Sequence, residues 1–276
     1  MEQKKIHRVF SALLIIIFLT ACSAPSPTET QTANTPVPQA TSNEVATNPP
    51  PSAENATPIT IEGFCTNAYY PVRKGTTWSY KSKGGPAGEY SFTDTITSVR
   101  QDGFTLSTQI GDLTRTQEWT CTSEGLSALQ LGGAPAAMLN SQNIHLDLDV
   151  QNASGVTFPR QMNPGNQWQQ SADVKGNASV ANQEAETTGT VQMNFAAVGN
   201  EGVTVSAGTF DALKINVDVT LNLKAAYEGI TLPVTFSGKY TYWFVQDVGW
   251  VKASGTGNVL GSSFSETTEL QSYSLP

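Results

Sequence analysis

Hydrophobic and polar residues alternate along much of the second half of the chain, and this pattern predicts long β-strands. The clearest run covers residues 213–224, in which apolar residues occupy the odd positions and polar residues the even ones. Successive side chains of a strand point to opposite faces of a sheet, so this run has one dry face and one wet face. Shorter runs with the same alternation lie at residues 90–96, 104–110, 144–150 and 191–195.

The segments between these runs are typical of tight connections. Residues 101–103 and 199–202 contain glycine, which favours turns, so neighbouring strands are predicted to be antiparallel. Only residues 134–141 predict a short helix. The predicted fold class is therefore all-β, with an antiparallel sheet that is curled or forms an open barrel.

Two short motifs each occur twice, in the same order. They are a Gly-x-x-Trp tetrapeptide and a Trp followed six residues later by Gly: Gly75 with Trp78, Gly165 with Trp168, Trp119 with Gly125, and Trp243 with Gly249. The repetition predicts two related β units, at residues 64–150 and 156–272. The glycines allow a positive φ at turns, and each Trp is expected to fill core volume.

The start of the chain has the pattern of an export signal. Three basic residues precede an apolar run at residues 9–19, which rises roughly 16 Å as a helix, against a hydrocarbon core of ~30 Å. The run ends in Leu19-Thr20-Ala21-Cys22, which resembles the lipobox of bacterial lipoproteins. We therefore expect residues 1–21 to be a signal peptide and Cys22 to carry the lipid that anchors the protein to a membrane, facing the extracytoplasmic side. The alternative is a plain secretory signal that leaves a soluble protein.

Residues 22–58 differ in composition from the rest of the chain. From position 23 to position 58 they contain eight prolines and seven threonines, with no aromatic residue, lysine or arginine. Such a segment buries too little apolar surface to order itself, so we expect a disordered linker. Residues 59–276 then form the β domain, which the linker holds away from the membrane.

The charge of the mature chain bears on its partners. Removal of residues 1–21 leaves 12 basic and 22 acidic residues, a net charge of −10. Nucleic-acid binding depends on Lys and Arg to displace counterions, so we predict no nucleic-acid partner. The same charge repels anionic headgroups, so the lipid on Cys22 must supply the attachment to the membrane.

The three cysteines fit an exported protein. With Cys22 modified by lipid, Cys65 and Cys121 remain as one pair, and the oxidising compartment favours a disulfide between them. A redox or metal-binding role is disfavoured because the chain has no Cys-x-x-Cys motif.

Catalytic chemistry has little support. The mature chain contains one histidine, His145, through which any Ser-His-Asp or Cys-His mechanism would have to pass. His145 shares a predicted strand face with Asp147 and Asp149, but successive side chains on one face lie ~6 to 7 Å apart, too far for ready coordination of one metal ion. We expect a solvated strand face, no metal, no cofactor and no enzymatic activity.

An aromatic row is the more suggestive feature. Tyr240, Tyr242 and Phe244 point to one side of a predicted strand, and Trp243 and Val245 point to the other. If Trp243 fills the core, the opposite row needs a second cover, which is either more protein or a ligand in a concave sheet. Aromatic rings also stack on sugars, so the candidate ligand is apolar or a glycan.

The sequence also resembles a loose group of uncharacterised secreted bacterial lipoproteins. The likeness lies in Tyr70-Pro71 with Gly75 and Trp78-Ser79-Tyr80, in residues 206–215, and in residues 242–244 with 248–252. It implies a curled antiparallel sheet similar to lipid-carrying lipoproteins of the LolA and LppX type, and it brings no catalytic residues. Two functions stay open. The first is a non-catalytic module that binds an apolar, lipid or glycan ligand in the sheet, and the second is a structural or interaction module at the cell surface with no small-molecule pocket.

Overall fold

A computed structural model of the protein describes residues 63–129, 144–180, 183–259 and 261–276, which form a single antiparallel sheet. Its strands are β1 Thr77–Gly84, β2 Tyr90–Val99, β3 Gly103–Ile110, β4 Leu113–Cys121, β5 Gly125–Ala128, β6 Ile144–Gly155, β7 Phe158–Pro159, β8 Gln167–Val180, β9 Gln183–Val205, β10 Gly208–Tyr227, β11 Ile230–Val245, β12 Gly249–Val259 and β13 Ser262–Ser274. The sheet curls into a half-barrel, and the all-β antiparallel prediction is confirmed. Within these ranges, no helix has the length and apolarity that a membrane span requires. The predicted signal peptide, Cys22, the linker and the predicted helix at 134–141 lie outside the described residues.

The sheet consists of two meanders joined side by side. Strands β1 to β5 are neighbours in chain order, and so are β8 to β13. The pairing of β13 with β1 joins the meanders, with Thr77 opposite Ser274. The curl brings β6, at one edge, back to the segment after β5, where the Val150 N–H donates to the carbonyl of Leu129 over 2.9 Å.

The alternating run predicted to be a strand lies in β10, at the centre of the second meander. Leu213, Ile215 and Val217 are buried, whereas Asn216 and Asp218 are exposed. We call the face that carries the buried residues the inner face, and the opposite one the outer face. Both neighbouring strands place apolar residues opposite this run. Val217, for example, lies between Phe195 of β9 and Tyr240 of β11.

The repeated Gly-x-x-Trp motif forms the same turn twice. Gly75 and Gly165 have φ angles of 90° and 88°, which a side chain would strain. The Gly75 N–H donates to the carbonyl of Ile96 over 2.8 Å, and the Gly165 N–H donates to that of Ala197 over 2.7 Å. The flanking strands depart from the predicted unit boundaries, since β6 pairs with β8 of the second meander and β7 pairs with β5 of the first.

The tryptophans differ in their burial. Trp78 and Trp119 fill the core, with 2% and 5% of their surface exposed. Trp243 is only partly buried, because it lies on the outer face, where its indole N–H donates to the carboxylate of Glu201. The ammonium groups of Lys214 and Lys252 each lie 5.8 Å from its ring centroid. The prediction that each repeated Trp fills core volume is therefore confirmed for Trp78 and Trp119, whereas Trp168 and Trp243 are partly buried and pack against the edges of the buried clusters.

The predicted disulfide between Cys65 and Cys121 is present and buried. It ties the segment before β1 to the end of β4. That segment carries Tyr70, whose ring lies 5.6 Å from Trp78 and 5.5 Å from Trp119. The disulfide thus fixes a segment that closes one end of the half-barrel.

Candidate functional site

The aromatic row on β11 lies on the inner face. The ring centroids of Tyr240 and Tyr242 are 6.3 Å apart, and those of Tyr242 and Phe244 are 6.1 Å apart. The row runs from the closed end of the half-barrel, at Phe244, towards the opposite end, at Tyr240. The two ends have different surroundings.

Protein covers the row at the closed end. Phe244 is 3% exposed and meets the ring of Phe158 edge-on at 5.3 Å, within a cluster that includes Met162. Tyr242 packs edge-on against Trp250 at 5.9 Å. Of the two covers that the sequence left open, more protein is the one found at Phe244.

Glycines shape the other end of the row. Gly238, Gly255 and Gly257 lie on the inner face, and a Cβ atom on any of them would collide with an aromatic ring. Tyr240 lies across Gly238 and Gly255, and Phe264 lies across Gly257, so both rings lie flat on the sheet. Phe264 also stacks on Phe236 at 6.4 Å. We call Phe236, Tyr240 and Phe264 the aromatic floor; all three are half-buried.

A carboxylate stands beside the aromatic floor. Glu266 of β13 lies opposite Gly255, over which the ring of Tyr240 extends. Its Oε1 accepts hydrogen bonds from Ser82 Oγ, at 2.6 Å, and from the Tyr90 hydroxyl, at 2.8 Å. None of the ion pairs within the described part of the chain includes Glu266.

The tyrosines around Glu266 are held neutral. Burial raises the pKa of Tyr242 to about 12, and the charge of Glu266 adds to that rise. Burial also raises the pKa values of Tyr90 and Tyr240 above the ordinary range, again with a contribution from Glu266. The site therefore presents neutral, electron-rich rings beside one carboxylate.

A second carboxyl group, Asp94, is buried at the closed end. Its Oδ1 accepts a hydrogen bond from Thr108 Oγ1 at 2.5 Å. Burial raises the pKa of Asp94 from its ordinary 3.8 to about 6, and the hydrogen bond from Thr108 opposes part of the rise. Burial raises the pKa values of Tyr70 and Tyr80, and the nearby charge of Asp94 adds to both rises.

The raised pKa of Asp94 makes stability depend on pH. The folded state binds the proton more tightly than the unfolded state, so stability is fully present below pH 3.8 and is lost as pH rises to about 6, by ~3 kcal/mol. Asp94→Asn should remove this loss, because the amide oxygen can still accept from Thr108. Urea unfolding measures the free energy of unfolding at pH 4 and at pH 7, and the difference between these two values should be smaller for Asp94→Asn than for wild type. Asp211→Asn replaces an exposed carboxylate and should keep the wild-type difference between pH 4 and pH 7. If both variants reduce that difference equally, Asp94 is not the group responsible for the loss of stability.

The other residues singled out from the sequence do not join this site. His145 lies opposite Ser179 in the β6–β8 pairing, its side chain is outside the description, and Asp147 and Asp149 are exposed. Over the residues that the structure describes, no group of three or more potential ligands could hold a metal ion.

Two depressions lie on the surface. One, of about 650 Å³, lies over β10 to β13; its lining is mostly polar outer-face residues such as Ser237, Lys239 and Thr256, and it also includes Val219 and Phe264. The other, of about 850 Å³, lies beside the disulfide and includes Arg73 and Arg100. Neither of them is lined by Tyr240, Tyr242 or Phe244.

Sequence reasoning missed Glu266 and Asp94, although a signal for both exists. Asp94 occupies the apolar parity of its strand, between Phe92 and Ile96. Glu266 likewise stands two residues after Phe264 on β13. An acid in the apolar register of a strand indicates a carboxyl group directed at the core side.

Comparisons with known proteins give one family and several solved structures. A family model described as DUF3108-like matches residues 114–269, more than half of the chain. No curated protein matches the chain.

Three solved structures match the chain at low sequence identity. The chain is similar to an exported protein with a YmcC-like fold from Bacteroides fragilis, at 13% identity and a TM-score of 0.49, with 76% of this chain and 100% of that one covered. The chain is also similar to a lipoprotein from Parabacteroides distasonis, at 13% identity and a TM-score of 0.44, with 76% of this chain and 99% of that one covered. The hypothetical lipoprotein YmcC from Escherichia coli matches at 9% identity and a TM-score of 0.33, with 73% of this chain and 85% of that one covered.

Proposed function

The chain belongs to the DUF3108-like family, and from this premise we propose that it is a non-catalytic lipoprotein of the cell envelope. The lipid on Cys22 holds it on the extracytoplasmic side of a membrane. Its curled sheet binds an apolar or lipid ligand against the inner face.

The observation that carries this proposal is apolar surface left partly uncovered on the inner face. Near the closed end, the inner-face residues of β10 are buried. Farther along, Leu223 is also buried, within a cluster against which Leu221 and Val234 pack, but four inner-face residues of β10 and β11 are only half-buried: Val219, Leu221, Val234 and Phe236. We call these four residues the open strip. The strip continues into Leu232 and Ile230, which are 54% and 62% exposed. A ligand that covers apolar surface gains about 25 cal/mol for each Å² removed from water, so the strip and the aromatic floor favour an apolar occupant.

The anchor and the lack of catalysis rest on the sequence. The signal pattern ends in a lipobox-like tetrapeptide at Cys22, and the mature net charge of −10 favours attachment to the membrane through a lipid over attachment through basic residues. His145 is the one histidine beyond the signal peptide, and the acids on its strand face are exposed. These features support a binding role in the envelope rather than catalysis.

One observation favours the alternative, a structural or interaction module without a ligand. Phe244, the innermost member of the aromatic row, is covered by Phe158 and Met162, so protein and not a ligand covers this end of the row. Under this alternative the open strip is covered by another protein.

Native mass spectrometry of the exported protein, purified from its own host, tests the proposal. We expect a non-covalent lipid adduct that Val219→Glu reduces at least tenfold, because it places a charge in the open strip. Thr220→Glu is the matched control, since it puts the same charge on the outer face one residue away and should retain the adduct.

Two results would contradict the binding function. One is wild-type protein that carries no lipid, and the other is equal loss in the two variants. If Val219→Glu fails to fold, Val219→Ser provides the same comparison without a charge.

A further inference from the structure

We propose that Glu266, together with the rings of Tyr90, Tyr240 and Tyr242, binds a positively charged amine or ammonium group on the ligand. The inference rests on the proposed function, since the apolar part of the same ligand would lie on the open strip and the aromatic floor. It assigns the ligand class as a cationic or zwitterionic amphiphile with an ammonium group.

The charges of the inner face favour a cation. Along β10 to β13 and β1, the inner-face register contains no lysine or arginine, and Glu266 is its charged residue. The lysines of these strands lie on the outer face, where Lys239 pairs with Asp218 and Lys252 with Glu269. On these described strands, Glu266 therefore faces the concave side with no lysine or arginine on the same face.

The hydrogen bonds of Glu266 leave its charge available. Both donors, Ser82 and Tyr90, are neutral hydroxyl groups, and both bonds are to Oε1. An apolar ligand that covered this half-buried carboxylate would remove it from water without supplying a counter-charge, which is costly. An ammonium group removes that cost, since it supplies the opposite charge and N–H or C–H contacts at the carboxylate.

The surrounding rings suit the same group. A cation within about 6 Å of an aromatic face is attracted by the ring quadrupole. Tyr90 is hydrogen-bonded to Glu266, Tyr240 lies flat over the glycine opposite Glu266, and Tyr242 is 6.3 Å from Tyr240. The raised pKa values of these tyrosines keep the hydroxyl groups protonated, so no ring carries a charge that would compete.

The experiment compares two probes with the same alkyl chain, dodecylammonium and dodecanol, on the purified exported protein. Isothermal titration below the micelle concentration should give about tenfold tighter binding of dodecylammonium by wild type. Glu266→Gln should abolish this preference, because dodecylammonium loses its counter-charge and dodecanol no longer covers a carboxylate and so binds at least as tightly as to wild type. The fold should be kept, since the amide oxygen can still accept from Ser82 and Tyr90. Glu269→Gln, three residues away on the outer face, should retain the preference and thereby exclude a general effect of the acidic surface.

Each outcome separates this inference from the function on which it rests. If wild type and Glu266→Gln bind both probes equally well, the amine assignment is wrong while the binding function stands. If wild type binds neither probe, both are wrong. Should Glu266→Gln fail to fold, the comparison of dodecylammonium with dodecanoate on wild type decides, because equal affinity for the two charges would overturn the assignment.

Discussion

Trp119→Ala is expected to lower the free energy of unfolding by ~3 to 5 kcal/mol. The indole is 5% exposed and stacks between Phe104, at 5.3 Å, and Phe158, at 5.6 Å. Its removal leaves a cavity among rigid rings that belong to different strands, so the site cannot easily collapse. Guanidinium chloride unfolding should give a lower midpoint with an unchanged slope.

Trp243→Ala is the matched comparison, because the repeat gives both tryptophans the same place in the sequence. Trp243 is partly exposed and bonds to an exposed carboxylate, so its removal should cost ~1 to 2 kcal/mol. Equal losses for the two variants would mean that the outer face of β11 is part of the core, and the assignment of faces would have to be reversed.

The contrast between these tryptophans indicates which sequence signals predicted the fold well. Alternation is a local property of a strand, and it gave the faces of residues 213–224 correctly. Motif spacing gave the turns at Gly75 and Gly165 but not the faces at the second motif. Trp243 faces outwards because the alternation of β11 continues unbroken through it, whereas the bulge beside it inserts Val251 on β12 and so changes the faces of β12 alone.

Long-range pairing could not be read from the sequence. The sheet becomes continuous because β13 returns to β1, and β6 and β7 cross to opposite meanders. These pairings join segments far apart in the chain, and no local residue pattern specifies them. The aromatic row could be predicted because it lies on one strand, whereas its relation to Glu266 depends on three strands whose order was unknown.

The glycines of the site illustrate the same limit. In sequence, Gly255 and Gly257 fit a loop as well as a strand. In the sheet they are the positions that let Tyr240 and Phe264 lie flat, which turns a row of projecting rings into a floor. Their role becomes visible only when the neighbouring strand is known.

Replacing both Cys65 and Cys121 by Ser is expected to lower the free energy of unfolding by ~2 to 4 kcal/mol. The disulfide closes a loop with a sequence separation of 56, for which the chain-entropy account gives a limit of ~4 kcal/mol. The bond also pins the segment that inserts Tyr70 among Trp78, Phe104 and Trp119. Thermal unfolding of the double variant should therefore show a lower Tm, by roughly 2 to 4 °C per kcal/mol for a domain of this size.

The control for the disulfide is the wild-type protein unfolded with and without a reductant. If the cross-link itself stabilises the fold, reduction should lower the Tm of wild type towards that of the double variant and leave the variant unchanged. Tyr70→Ala should then cost less in the double variant than in wild type, because without the cross-link the segment that carries Tyr70 separates from the core more readily. Strict additivity of these changes would mean that the disulfide acts on the unfolded chain alone and has no part in holding Tyr70 in place.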